Sequence, residues 1–139
     1  MSSNKFTKLS LYTASIMLVL SSCGMEGVSS GADLSSKTPD MEVSCRTMLS
    51  DIDANEARAA KKYENKIIKI SGYIDSIDED LWGDPQINLS SGEQYSFNSC
   101  MLGGVDESTA VSLDKGKYVS FICNDFSEII GSASLSNCS

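Results

Sequence analysis

Residues 68–75 constrain the fold of this chain more than any other stretch. Ile68, Ile70, Gly72 and Ile74 alternate with Lys69, Ser71, Tyr73 and Asp75. An apolar–polar period of two turns one set of side chains inward and the other to water, the signature of a half-buried strand. Gly72 in the middle of the run predicts a bend or bulge. Asp80-Leu81-Trp82-Gly83-Asp84-Pro85 is predicted to turn, since Gly and Pro punctuate it. Gln86 to Leu89 then reads as a second strand, Ser90-Ser91-Gly92-Glu93 as a second turn and Tyr95 to Leu102 as a third strand. Gly103-Gly104 breaks the sheet and Val105 to Leu113 predicts a short helix. Val119, Phe121 and Cys123 alternate inward in a fourth strand, and Ile129 to Cys138 forms a fifth.

Ahead of the strands the period is helical. Leu49, Ile52 and Asn55/Glu56 fall on one stripe, continued by Ala59, Ala60 and Tyr63, so a helix is predicted from about Cys45 to Tyr63. Ser44 can cap its start, and Arg58, Lys61 and Lys62 suit the negative end of its dipole. The predicted fold class is mainly β with a flanking helix (α+β). Its architecture is a five-stranded OB-fold barrel, with an N-terminal helix and a short helix between the third and fourth strands.

The N-terminus reads as a separate segment. Lys5 and Lys8 open the chain without an acid, and Leu9 to Leu20 carries no charge. As a helix that run would span roughly 18 Å, well short of the ~30 Å hydrocarbon core, so it suits a secretory signal and not a membrane span. Leu20-Ser21-Ser22-Cys23 resembles the bacterial lipobox. The resemblance implies cleavage before Cys23, a diacylglycerol thioether on its sulfur and N-acylation with a palmitate-type chain. Two or three acyl chains anchor stably. Gly24 follows, where an Asp would resemble an inner-membrane retention signal, so the expected location is the outer membrane, facing the periplasm. Residues 1–22 are thus expected to be a signal peptide, 23–40 a lipid-anchored flexible tether rich in Gly and Ser, and 41–139 the domain. Cleavage would remove Lys5 and Lys8 and take the formal net charge from −8 to −10. That charge repels phosphate backbones and anionic headgroups.

With Cys23 given to lipid, Cys45, Cys100, Cys123 and Cys138 remain, an even number that reads as two disulfides in an exported domain. Zinc would show paired C-x-x-C spacing, which is absent, and the chain has no His. Three pairings are open. Cys123–Cys138 is favoured because these residues are predicted to end two paired strands, which leaves Cys45–Cys100.

Residues 55–138 resemble the tRNA_anti-like family of OB-folds found in bacterial lipoproteins. The resemblance rests on Asn55-Glu56-Ala57, on Tyr63-Glu64-Asn65-Lys66-Ile67-Ile68-Lys69-Ile70-Ser71-Gly72, and on Ile77-Asp78-Glu79-Asp80 with Gly83 and Pro85. Leu113-Asp114-Lys115-Gly116-Lys117-Tyr118-Val119, Cys123 and Cys138 complete it. These are turns, core positions and caps, so the resemblance implies a fold and assigns no reactive group.

The candidate ligand contacts are Lys69, Tyr73, Trp82 and Tyr118, with Ser71 and Ser120 beside them on an outward strand face. Trp82 reads first as a packing residue at a hairpin tip. Binding of single strands needs a basic groove with stacking aromatics, and only Lys69 and Lys117 accompany these tyrosines. Asp78, Asp80 and Gly83 partly match a calcium loop, but Trp82 and Leu89 stand where the EF-hand requires Asp or Asn and then Glu. A solvated acidic turn is expected there, with neither metal nor cofactor. Without His or C-x-x-C, nucleophilic and thiol–disulfide catalysis lack their parts. The expectation is a non-enzymatic envelope lipoprotein that binds a protein, peptide or glycan. The alternative is a structural or inhibitory envelope accessory without a small ligand, and single-stranded nucleic acid is the least favoured partner.

Overall fold

A computed structural model describes residues 34–139 except Tyr95. The expected leader, Cys23 and most of the tether lie outside the described residues. Leu34, within the stretch read as tether, is 3% exposed and its amide donates to Ser139 Oγ at 3.0 Å, so the packed body takes in residues ahead of position 41.

The elements in order are β1 (Met41–Ser44), α1 (Cys45–Ala54), α2 (Glu56–Tyr63), β2 (Ile68–Glu79), β3 (Pro85–Ser90), β4 (Ser99–Leu102), α3 (Glu107–Val111), β5 (Tyr118–Ile129) and β6 (Ser132–Ser136). There are six strands among the described residues, where five were expected. The extra one, β1, runs parallel to the start of β2, with Met41 opposite Ile68 and Ser44 opposite Ser71. Met41 and Val43 pack against the core, but an alternation of four residues is too short to show a period in the sequence.

The strand order is β1-β2-β3-β4-β6-β5, and β5 also pairs with β2. Two long strands make that circuit possible by changing neighbours part-way. β2 pairs with β5 through Ile68–Tyr73 and with β3 from Ile74 onward. β5 pairs with β2 through Tyr118–Cys123 and with β6 from Asn124 onward. Each strand carries a register shift near the change, between Ile74 and Ser76 and between Asn124 and Ser127, and such irregularities curl a sheet. The bulge expected at Gly72 therefore lies beyond it. Gly72 serves a close approach instead: a Cβ there would stand 3.4 Å from the Cβ atoms of Cys45 and Leu89.

The core fills the inside of this circuit. Ile68, Ile70 and Ile74 of β2 meet Ile87 and Leu89 of β3, Leu102 of β4, Phe121 of β5 and Leu135 of β6. The single helix expected over 45–63 is two helices. α1 starts at the Ser44 cap, whose hydroxyl accepts from Thr47 N at 3.1 Å, and buries Cys45, Met48, Leu49 and Ile52. Asn55 then leaves helical geometry (φ −171°) while its side chain accepts from Arg58 N at 2.9 Å, ending α1 and capping α2 in one residue. An Asn side chain that can bond nearby backbone favours a cap over a helix interior.

Three other boundaries differ from expectation. β4 begins at Ser99, not Tyr95, and α3 spans 107–111 under a cap at Asp106. Hydrogen bonds from the Ser108 hydroxyl and the Thr109 amide hold the Asp106 carboxyl below the usual carboxylate range. β5 runs on to Ile129 and β6 starts only at Ser132, with Ile130 and Gly131 as the turn. Disulfides join Cys45 to Cys100 and Cys123 to Cys138. The first ties the start of α1 to β4, and the second ties β5 to the residues after β6. No described helix is long and apolar enough to cross a membrane, and no described group of three or more His, Cys, Asp or Glu side chains is placed to hold a metal.

Candidate functional site

The outer face of β2 and β5 gathers most of the residues singled out in the sequence. Tyr73 lies directly opposite Tyr118 and Ser71 opposite Ser120. The two tyrosine rings meet edge to face, 4.9 Å between centroids at 73°, and both remain more than half exposed. The Tyr118 hydroxyl donates to Ser71 Oγ at 3.0 Å, which fixes its tilt. Lys69 sits on the same face, but its ammonium lies 3.7 Å from Glu42 Oε1 on the neighbouring β1. The cation expected beside the tyrosines is thus paired with an acid that the missed first strand supplies.

Trp82 does not join this platform. It occupies the β2–β3 turn, past the end of β2, where Glu79 lies six residue steps beyond Tyr73, roughly 20 Å at ~3.3 Å per residue. The indole is 83% exposed and Leu81 beside it 95%, so the expected packing role does not hold. The turn itself is tightly tied. The Asp80 carboxylate accepts from Trp82 N at 2.8 Å and from Asp84 N at 3.0 Å, and Asp80 N donates to Asp84 O at 2.9 Å. An acid read as part of a solvated cluster is here the clamp of a turn.

A second surface escaped the sequence reading. On the outer face of β2 and β3, Asn88 Nδ2 donates to Ser76 Oγ at 3.0 Å and to Asp78 Oδ2 at 2.8 Å. Asn88 Oδ1 accepts from Gln86 Nε2 at 3.0 Å. Ser76, Gln86 and Asn88, with Ser90, Ser99 and Met101, floor a groove of about 420 Å³ whose wall is the loop carrying Ser96, Phe97 and Asn98. Phe97 is 99% exposed. Amides, hydroxyls and carboxylates line this groove, and none of its described lining residues is a Lys or Arg. Its signal in the sequence was the outward set of the second strand, Gln86, Asn88 and Ser90, alternating with buried Ile87 and Leu89.

The family model named tRNA_anti-like matches residues 5–130, most of the chain. The chain belongs to the tRNA_anti-like family. A crystal structure of a candidate nucleic acid-binding lipoprotein from Klebsiella pneumoniae is similar to this tRNA_anti-like chain. It has a TM-score of 0.55 and 16% sequence identity, over 70% of this chain and 88% of that one. At that identity the likeness is one of fold, and it agrees with a mostly β, OB-like arrangement. No curated protein matches the chain. In OB-folds generally, the second and third strands of the circuit and the turns beside them face the ligand. In this tRNA_anti-like domain the corresponding strands are β3 and β4, the floor of the amide-lined groove, while the tyrosine pair lies elsewhere on the circuit.

Proposed function

We propose that this protein is a non-catalytic binding module, lipid-anchored at Cys23 on the periplasmic side of a bacterial envelope. The closed pairing circuit acts as an OB-type barrel, and its ligand is a neutral, hydroxyl-rich chain such as an envelope glycan, held along the β3–β4 groove. One observation carries the ligand class: the groove presents amides, hydroxyls and carboxylates around an exposed Phe97 and no described cation. Sugar hydroxyls both donate and accept, so they can satisfy Gln86, Asn88 and Ser90 together, while a phosphodiester backbone would meet Asp75 and Glu93 without a counter-charge. The Tyr73–Tyr118 pair with Lys69 is a second contact surface for the same class of partner, with aromatic faces on which a sugar ring can lie. The Leu20–Cys23 motif supports the anchor, as does the lipoprotein description of the Klebsiella relative.

A direct test is co-sedimentation with purified peptidoglycan and neutral dextran, set beside titration with single-stranded DNA and RNA oligonucleotides. Retention by a polysaccharide, lost in Gln86→Ala/Asn88→Ala and weakened in Tyr73→Ala/Tyr118→Ala, is the expected result. Binding of an oligonucleotide in preference to either polysaccharide would replace this reading with the nucleic-acid one. Labelled palmitate should enter the unaltered protein and not Cys23→Ala.

A further inference from the structure

A cleft on another part of the molecule has a different chemistry. It lies between the β2–β3 hairpin and α3, has a volume of about 560 Å³, and is lined by Ile77, Pro85, Val105, Ala110, Val111 and Leu113. Asp78, Glu79, Asp84 and Glu107 also line it, and no Lys or Arg does. Among the described residues none of these four carboxylates takes part in an ion pair. Val111 is 76% exposed although α3 buries Ala110 next to it, and the tip of the same hairpin holds Leu81 and Trp82 out in water at 95% and 83%. Their exposure is built in, because the Asp80 carboxylate binds the amides of Trp82 and Asp84 and sets the turn. A cleft lined by aliphatic residues under an acidic rim, with exposed aliphatic and aromatic side chains adjacent, marks a contact surface.

We infer that this cleft docks a basic, apolar peptide segment of a partner protein, one that alternates aliphatic residues with Lys or Arg. The aliphatic side chains would enter between Val111 and Pro85, and the cations would pair with Glu79, Asp84 and Glu107. Charge decides among the possible occupants. The whole chain carries a formal −8, so a second copy brings like charge to an acidic rim, and anionic headgroups and nucleic acid do the same. A cationic segment is the occupant whose charge is complementary. This inference is independent of the glycan reading, since the two surfaces have separate linings.

The chain has one tryptophan, Trp82, which makes the hairpin its own reporter. The probes are a synthetic peptide of alternating Leu and Lys, the same peptide with Glu for Lys, and an all-Lys peptide of equal length. Titration of the full-length protein with the Leu/Lys peptide should blue-shift Trp82 emission saturably at one peptide per chain, and calorimetry should give the same stoichiometry. The affinity should fall about tenfold or more in Val111→Asp and in Glu79→Lys/Glu107→Lys. It should change less than twofold in Glu56→Lys/Glu64→Lys, which makes the same charge change at the two ends of α2. Circular dichroism identifies any variant that fails to fold, and the peptide controls test the idea on the unaltered protein. Equal binding of the all-Lys peptide, an equal loss in the α2 variant, or no saturable shift would overturn the inference. So would self-association of the protein that the Leu/Lys peptide displaces.

Discussion

Tyr63, fully buried at the end of α2, donates its hydroxyl proton to Asp51 Oδ2 in α1 at 2.5 Å. The same carboxylate oxygen receives Lys62 Nζ at 2.7 Å, and the Tyr63 ring lies 5.3 Å from that of Phe126 on β5. Asn55 breaks the helical segment in two, and this contact joins the halves across the break. A buried phenol needs such a partner, because an unpaired hydroxyl in the core costs more than the hydrogen bond contributes.

The pair makes stability depend on pH at both ends. Hydrogen bonds from Lys62 and then Tyr63 hold the Asp51 carboxyl below its ordinary value. A carboxyl depressed on folding contributes stability that is present above its unfolded pKa, near 4, and lost as pH falls through the folded one. Burial, and then the bond to Asp51, push the Tyr63 phenol the other way, above its ordinary value. Its contribution is complete below the unfolded pKa near 10 and fades as pH rises beyond that. Thermal melts followed by circular dichroism from pH 3 to 11 should fall at both limbs. Tyr63→Phe should lose about 1 kcal/mol at neutral pH and show a flatter alkaline limb. An unchanged alkaline limb would mean that another group controls it.

The disulfides differ in what they close. The 55-residue separation of Cys45 and Cys100 exceeds the 15 of Cys123 and Cys138. On chain entropy alone these are worth about 4 and about 3 kcal/mol. Cys45→Ala/Cys100→Ala should therefore be the more destabilised double variant. It also frees the start of α1 from β4, so its denaturant midpoint in urea should drop further than that of Cys123→Ala/Cys138→Ala. The reverse order would show that the short bridge, which ties down the C-terminal residues, matters more through native contacts than through the unfolded chain.

What the sequence made legible is what local periodicity encodes. Ile68, Ile70 and Ile74 alternate with polar residues and are buried as that alternation requires, and Ser44 caps a helix as its type suggests. The pairing of Tyr73 with Tyr118 depended only on both residues facing outward on strands that adjoin. Where local preference competes with tertiary packing, the signal failed. Asn55 could belong to a helical stripe or to a cap, and the hydrogen bond to Arg58 N decides it. β1 is a strand only because the edge of β2 is there to pair with it. The amide groove was hidden for a related reason. Gln86 and Asn88 are unremarkable outward residues until the bent β2 brings Ser76 and Asp78 alongside.

Two glycines with similar backbones should respond differently to alanine. Gly83 and Gly104 both have positive φ, +86° and +73°, a region that costs an L-residue ~1–2 kcal/mol. A Cβ on Gly83 would meet nothing within 4 Å, whereas one on Gly104 would stand 2.8 Å from Asn137 N and 2.9 Å from its Cα. Gly83→Ala should show the conformational cost alone. Gly104→Ala must also push the backbone away next to Cys138, whose amide donates to Gly103 O at 3.1 Å. Differential scanning calorimetry should find Gly104→Ala clearly the less stable of the two, and equal melting temperatures would contradict the close approach.

The turn between β5 and β6 spends stability that a single substitution should recover. Ile130 and Gly131 both have positive φ, +50° and +80°, between the paired residues Ile129 and Ser132. A two-residue hairpin with both centres left-handed favours Asn-Gly, and a β-branched side chain fits that region worst. Ile130 gains no burial in return, being 92% exposed. Ile130→Asn should therefore raise stability by about 1 kcal/mol. The turn also adjoins the proposed glycan groove: a Cβ on Gly131 would stand 3.0 Å from Asn98 Nδ2, and Asn98 lines that groove. Strain on an exposed apolar side chain beside a binding surface suits a residue kept for contact rather than for folding. The same Ile130→Asn protein should melt higher and yet be retained less by polysaccharide. A variant that gains stability and binds as before would assign Ile130 no part in the site.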